Sequence, residues 1–195
     1  MSKTAVARKI EGIEAPVPGT WEFDTAHSSL TIIARHMMVT KVRGTLSLAG
    51  EIRIGEQPED SWVEVTADPA TVDTRNETRD NHLRSPDFLH IENFPEIKFR
   101  STKVELLGGP ALRVTGDLTI RGVTRPLVLN AEFLGVAKNP WGKNVAAFSA
   151  TGEIEREEFG MTWNQALETG GWLVSKKFQI EIEIEAVQKV AEQAS

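Results

Sequence analysis

The chain has 195 residues, 40% hydrophobic and 26% charged, with a formal net charge of −6 and no cysteine. That length suits one domain with a real core, and the acidic balance, with a pI near 5.3, argues against nucleic acid or an anionic membrane as the main partner. The missing cysteines exclude disulfides, thiolate metal sites and cysteine nucleophiles.

Residues 1–19 read as a flexible N-terminal arm, mixed in polarity and ending in Pro16, Pro18 and Gly19. They contain no apolar run of signal-peptide length. Nowhere does the chain approach the ~18 apolar residues of a membrane-spanning helix. The expectation is therefore a cytoplasmic protein without stable membrane insertion.

From Trp21 onward, period-2 alternation dominates. Leu30, Ile32, Ala34 and His36 share one strand face, and Leu46, Leu48, Gly50, Ile52 and Ile54 share another. Val63, Val65 and Ala67 continue the pattern. Ile97 and Phe99 give way to Val104 and Leu106, a parity change that predicts a bulge near Ser101–Lys103. Stripes follow at Leu112 to Ile120, Leu127 to Phe133, Ala146 to Ile154 and Phe178 to Ile184. Gly108-Gly109-Pro110, Arg121-Gly122, Asn139-Pro140-Trp141-Gly142 and Gly170-Gly171 supply hairpin punctuation.

About eight strands with short connections predict an all-β fold: one elongated up-and-down antiparallel β-barrel over residues 20–187, followed by a tail at 188–195. An eight-strand barrel can be filled by side chains or can hold one small ligand. Small residues on the inner stripes (Ala34, Gly50, Gly116, Ala131, Ala150, Gly152) favour a cavity. Its expected lining is Leu30, Ile32, Leu48, Leu118, Leu129, Ala131, Phe148, Ala150 and Ile182, chosen because they occupy the apolar stripes.

The rhythm stops between Thr71 and Phe99. Arg75, Arg79, Asp80, His82 and Arg84 crowd into ten residues, followed by Phe88, Leu89, Ile91 and Phe94. The spacing predicts a helical insertion near residues 76–90, capped by Thr74 or Asn76 and stopped by Pro86. A polar helix between long strands belongs at the mouth of a barrel. His36, Arg79, His82 and Arg84 are the candidate head-group site, with Asp80 orienting an arginine. The apolar quartet that follows would tether the insertion to the rim. Trp141, Trp163 and Trp172 would seal a barrel end or pack under a loop, with the lining of a ligand portal as the alternative.

Enzyme chemistry finds little support. No G-x-S-x-G elbow and no phosphate-binding glycine loop appear. Asp24, His27, Ser28 and Ser29 are too close in sequence to converge as a triad with an oxyanion hole. The four histidines lack metal-ligand spacing, and His27 and His36 lie ~27–30 Å apart along one strand. No catalytic residue and no metal site are expected.

Six segments, in order, resemble the YceI-like family of lipocalin-like barrels associated with polyisoprenoid binding. They are Trp21 to Ser28 (WEFDTAHS), Arg35 to Gly44 (RHMMVTKVRG), Arg79 to Phe88 (RDNHLRSPDF), Asn93 to Thr102, Val114 to Pro126 and Glu155 to Asn164. The resemblance implies an elongated barrel holding a long apolar lipid along its axis, of polyprenyl, quinone-like or fatty-amide type. No cofactor is implied beyond such a lipid, and a homodimer is left open. A different class of function, an isomerase or cyclase acting on a lipid in the same cavity, would need a titratable group deep inside the barrel. His36 is the main exception to the apolar inner stripes.

Overall fold

Alternating strands can hide their apolar faces by curling into a closed sheet, and the chain does so. The computed structural model describes residues 7–10 and 12–189. In chain order the elements are β1 (Ala7–Ile10), β2 (Ile13–Pro16), β3 (Gly19–Phe23), β4 (Ser29–His36), β5 (Thr40–Ile54), β6 (Trp62–Asp73), α1 (Glu77–Arg84), β7 (Ile97–Gly108), β8 (Ala111–Ile120), β9 (Val123–Lys138), β10 (Asn144–Glu155) and β11 (Lys177–Gln188).

Each strand from β5 to β11 pairs antiparallel with the next, and β4 bridges β5 and β11 to close the ring. β3 also pairs with both β5 and β11, but further along them. β3 and β4 are thus one strand position, interrupted at residues 24–28, and the result is a closed eight-strand antiparallel barrel. The predicted bulge is present, with the β7–β8 register shifting between Ser101 and Lys103.

Each strand runs between two ends of the barrel. One end carries the β5–β6, β7–β8 and β9–β10 connections, and the other carries the β4–β5 turn, α1 and the segment from Arg156 to Lys176. At the first end, part of the expected arm is ordered as a hairpin. Arg8 and Lys9 face Ala15 and Glu14 across the β1–β2 pair, and Arg8 donates to the carbonyls of Gly55, at 2.5 Å, and Glu56, at 2.8 Å. Ile10, Ile13 and Pro16 meet the barrel interior, so burial of this short apolar set holds down what composition alone reads as a tail. Residues 1–6 and 11, and residues 190–195 of the expected C-terminal tail, lie outside the described residues.

The β6–β7 seam is the weak one. Its ladder covers only Glu64↔Arg100 to Ala67↔Ile97, and β6 continues without that partner to Asp73. Pro69 sits at the start of this unpaired run, where its missing N–H costs no ladder bond. The insertion 74–96 fills the gap. Asn76 caps α1 by accepting from the Arg79 backbone N–H at 3.0 Å, and Ser85 ends it immediately before Pro86.

Three of the inner-face glycines do a different job from the one expected. A Cβ on Gly116 would lie 2.5 Å from Phe99 Cζ, and one on Gly50 would lie 2.9 Å from Phe23 Cε2. The space they leave is taken by the carbonyl oxygens of Arg100 and Glu64, which lie nearer still, together with those rings, and that at Gly152 by Leu129. Glycine here allows close aromatic and aliphatic packing rather than an open void. Only Ala34, Ala131 and Ala150 of the small set line the cavity.

Candidate functional site

A cavity of about 830 Å³ runs through the barrel, toward the upper end of the roughly 300–1,000 Å³ usual for small-molecule sites. Its lining reaches from Ile10 and Ile13 of the hairpin, past the inner faces of the strands, to Arg79 and Trp163 at the helix end. Leu30, Ile32, Leu118, Leu129, Ala131, Phe148, Ala150 and Ile182 all contribute to it. Leu48 does not. It is buried in the core, 5% exposed, and borders a separate shallow hollow with Ser47, Thr66 and Pro95.

The charged and imidazole groups on the lining fall at the two ends. Arg8 and Glu14 belong to the hairpin end. At the helix end are Arg35 and His36, in the last two positions of β4, and Arg79 and His82 of α1, joined by Thr74, Asn76 and Thr78. Of the expected head-group residues, then, His36, Arg79 and His82 border the cavity. Asp80 and Arg84 do not.

Those two residues hold the frame. Asp80, 6% exposed, accepts from the Thr74 N–H at 2.9 Å and from its hydroxyl at 2.5 Å. Thr74 Oγ1 in turn accepts from Arg79 Nε at 2.7 Å, and the Thr74 carbonyl accepts from Arg79 Nη2 at 2.9 Å. Asp80 therefore orients an arginine through Thr74, in a chain whose members polarise one another. Arg84 donates to the carbonyls of Ala70 and Val72, both at 2.8 Å. These lie on the stretch of β6 that has run beyond its β7 partner, so the guanidinium replaces missing ladder donors.

His82 Nε2 lies 2.8 Å from Asp87 Oδ2, and its ring stands edge-on to Trp163 and Phe88 with centroids at 4.6 and 5.1 Å. Phe88 is buried and, with Leu89, lines the cavity, so part of the apolar clamp faces the ligand space. Trp163 lines the mouth, whereas Trp141 is 81% exposed and seals nothing.

Beneath the mouth lies a residue that sequence reading passed over. Arg156 is fully buried and donates to the carbonyls of Ser175 at 2.9 Å, Trp163 at 2.9 Å, and Met161. Its guanidinium also sits 5.9 Å from the Phe88 ring centroid. Burial pulls its pKa down from the usual arginine value, though a guanidinium stays charged. One cation thus ties the segment 161–175 to the end of β10. The signal was present in the sequence: Arg156 continues the inward parity of Ala150, Gly152 and Ile154.

A third arrangement lies at the break between β3 and β4. His27 Nδ1 is 3.0 Å from Asp24 Oδ2 and 3.9 Å from Glu185 Oε1. The hydrogen bond to Asp24 raises the His27 pKa, helped by the charges of Asp24 and Glu185. The same bond, with the Ala26 N–H, lowers that of Asp24. One side-chain ligand atom from each of Asp24, His27 and Glu185 lies within 4.8 Å of the others.

The YceI-like domain matches residues 21–186. The chain belongs to the YceI-like family. A UPF0312 protein of Staphylococcus aureus (strain USA300) is 40% identical over 166 residues, covering 84% of this chain and 94% of its own. The crystal structure of a Campylobacter jejuni YceI protein superposes with a TM-score of 0.68 at 33% identity, covering 80% of this chain and 90% of that one. A polyisoprenoid-binding domain from Saccharophagus degradans, implicated in plant cell wall breakdown, shares the fold alone, at 12% identity and a TM-score of 0.62 over 89% of this chain and all of its own. The apolar cavity of this YceI-like chain is suited to a hydrophobic ligand. Among the described residues no helix is long and apolar enough to cross a membrane.

Proposed function

We propose that this protein is a non-catalytic binder of a long apolar lipid, isoprenoid-like in character (polyprenyl, quinone-like or fatty-amide), that serves its carriage, storage or sensing. The observation that carries this reading is a lining that is apolar along most of its length, Ser149 being a polar residue at mid-strand, with charged and imidazole groups only at its ends. Each enclosed CH₂ contributes about 0.8 kcal/mol, so a long chain needs few polar contacts to bind well. The lipid head would lie at the helix end, where His36, Arg79 and His82 offer donors, and the tail would extend toward the β1–β2 hairpin. The polyisoprenoid-binding neighbour supports this class of ligand.

One observation favours the enzymatic alternative. His82 borders the cavity and is paired with Asp87 in the geometry of an oriented imidazole. Its position at the mouth, rather than beside the middle of the bound chain, suits a head-group contact better than isomerase or cyclase chemistry.

Native mass spectrometry of the purified protein, followed by solvent extraction, tests both readings. A lipid of discrete mass, recovered unchanged after prolonged incubation with the protein, is expected. Time-dependent conversion that disappears in His82→Ala would make the protein an enzyme. Absence of any lipid, together with no uptake of detergent-dispersed polyprenol, would end the binding reading.

A further inference from the structure

The β4–β5 turn is built in an unfavourable way at an exposed place. Met37 and Met38 occupy its two central positions with φ of 50° and 61°, and Val39 N–H closes it onto the His36 carbonyl at 3.0 Å. Both φ values are left-handed, as in a type I′ turn, where Asn-Gly is strongly preferred and a residue with a long side chain is strained. Two methionines stand there instead. Their side chains gain little burial, since Met37 is 47% exposed, Met38 52% and Val39 71%. Trp172, 47% exposed, extends the same patch, because its neighbour Gly171 approaches the Met38 side chain and Leu173 accepts from the Met37 N–H at 2.8 Å.

The flanks carry a second cost. Arg35 and Lys41 are paired directly across the two strands, and like charges in that relation repel. Arg43 follows two residues later. None of the three makes an ion pair among the described residues, and no acid occurs from Ser29 to Gly50. In a chain of net charge −6, this is a local reversal that the overall balance conceals. Strain and repulsion kept at an exposed site point to a use for it. The turn also adjoins the cavity mouth, where Arg35, His36, Val42 and Val174 line the opening.

The geometry points to the Met37–Val39 turn, with Trp172, as a docking element for an anionic lipid bilayer. The apolar tip enters the interface, the basic flanks meet acidic head groups, and the mouth beside His36 is held against the surface that supplies the cavity's lipid. Methionine and tryptophan suit a surface that is half apolar and half wet, and Arg and Lys are attracted to anionic leaflets. The other exposed apolar group, Leu106, Leu107, Leu134 and Trp141 at the hairpin end, has Lys138 and Lys143 beside Trp141 but also Glu105 and Glu132 beside its leucines. It is thus mixed in charge, and its left-handed positions are glycines without the strain of the Met37–Met38 turn. The purpose of docking rests on the lipid-binding reading; docking itself does not.

Flotation with phosphatidylcholine–phosphatidylglycerol vesicles, against phosphatidylcholine alone, tests the proposal. The protein is expected to float with the anionic vesicles and to be released by high salt. Met37→Asn with Met38→Gly suits the turn better than the native pair, so its thermal midpoint should hold or rise while vesicle partitioning falls about tenfold or more. Lys41→Glu with Arg43→Glu should lose about fivefold per basic residue on anionic vesicles only. Uptake of detergent-dispersed polyprenol should be unchanged in both variants, which separates a failure of docking from a failure of lipid binding. Failure of the wild-type protein to float, or unchanged flotation of the Asn-Gly variant, would overturn the proposal. So would a dimer that the Asn-Gly variant converts to monomers without any vesicle association, because a second copy would then be what covers the patch.

Discussion

His27 shows how a single exposed contact sets a pH response. Its folded pKa lies above the ordinary 6.5 because Asp24 accepts its hydrogen bond, so its stabilising contribution is complete below 6.5 and is lost as pH rises through the raised value. Asp24 is held below its ordinary 3.8, and its contribution is present above 3.8 and lost as pH falls through the lowered value. The pair therefore supports the β3–β4 break fully between those two reference values. An NMR titration of the His27 ring should give a midpoint above 6.5, and Asp24→Asn should return it toward 6.5. A wild-type midpoint at or below 6.5 would remove this pairing from the account. At the same scale, Arg156 was legible by parity but not by role, because an arginine on an inward stripe looks like an error until its carbonyl partners at Met161, Trp163 and Ser175 are brought around it.

Among the elements, the insertion was the easiest to find and the hardest to assign. Its helix limits follow from Asn76 and Pro86, since capping and ring sterics are local. The duties of its arginines are not local. Arg84 reaches carbonyls 14 and 12 residues back in the chain, and which carbonyls lack donors depends on where the β6–β7 ladder stops. Arg79 and Arg84 are five apart, so they leave the helix on different sides, one toward the cavity and one toward β6. Arg84→Ala should therefore destabilise the fold by about 1.5–3 kcal/mol per lost charged hydrogen bond at most, as read by urea unfolding, with little change in head-group preference. Arg79→Ala also removes two charged hydrogen bonds, those to Thr74, so it too should cost stability. What sets it apart is that it should weaken an anionic-headed lipid more than a neutral chain of equal length. Equal effects of Arg79→Ala on both lipids would give that residue a structural role only.

The whole barrel follows from alternation because one dry face per strand, repeated over consecutive hairpins, has few ways to close. The expected inner faces of β4 and β8 to β11 are those on the cavity. What alternation does not report is volume. The inward glycines looked like empty space until Phe23, Phe99 and Leu129 were found beside them, and Leu48 shares the stripe of Leu46 yet stays off the lining. The real room lies at the alanines. Ala150 is paired with Ala131 on one side and with Ile182 on the other, all three on the lining. A leucine at either alanine would project into open cavity rather than into packed core, so the overpacking cost of about 1–3 kcal/mol is avoided and added burial offsets the lost entropy. Ala131→Leu with Ala150→Leu should keep or raise the thermal midpoint while shortening the longest lipid retained through purification. Chain-length analysis of the extracted lipid by mass spectrometry is the measurement. If the double variant retains the same chain lengths with the same affinity, the chain does not pass the Ala131–Ala150 pair. If it unfolds in proportion to the binding it loses, that region is packed core and the cavity is shorter than its lining implies.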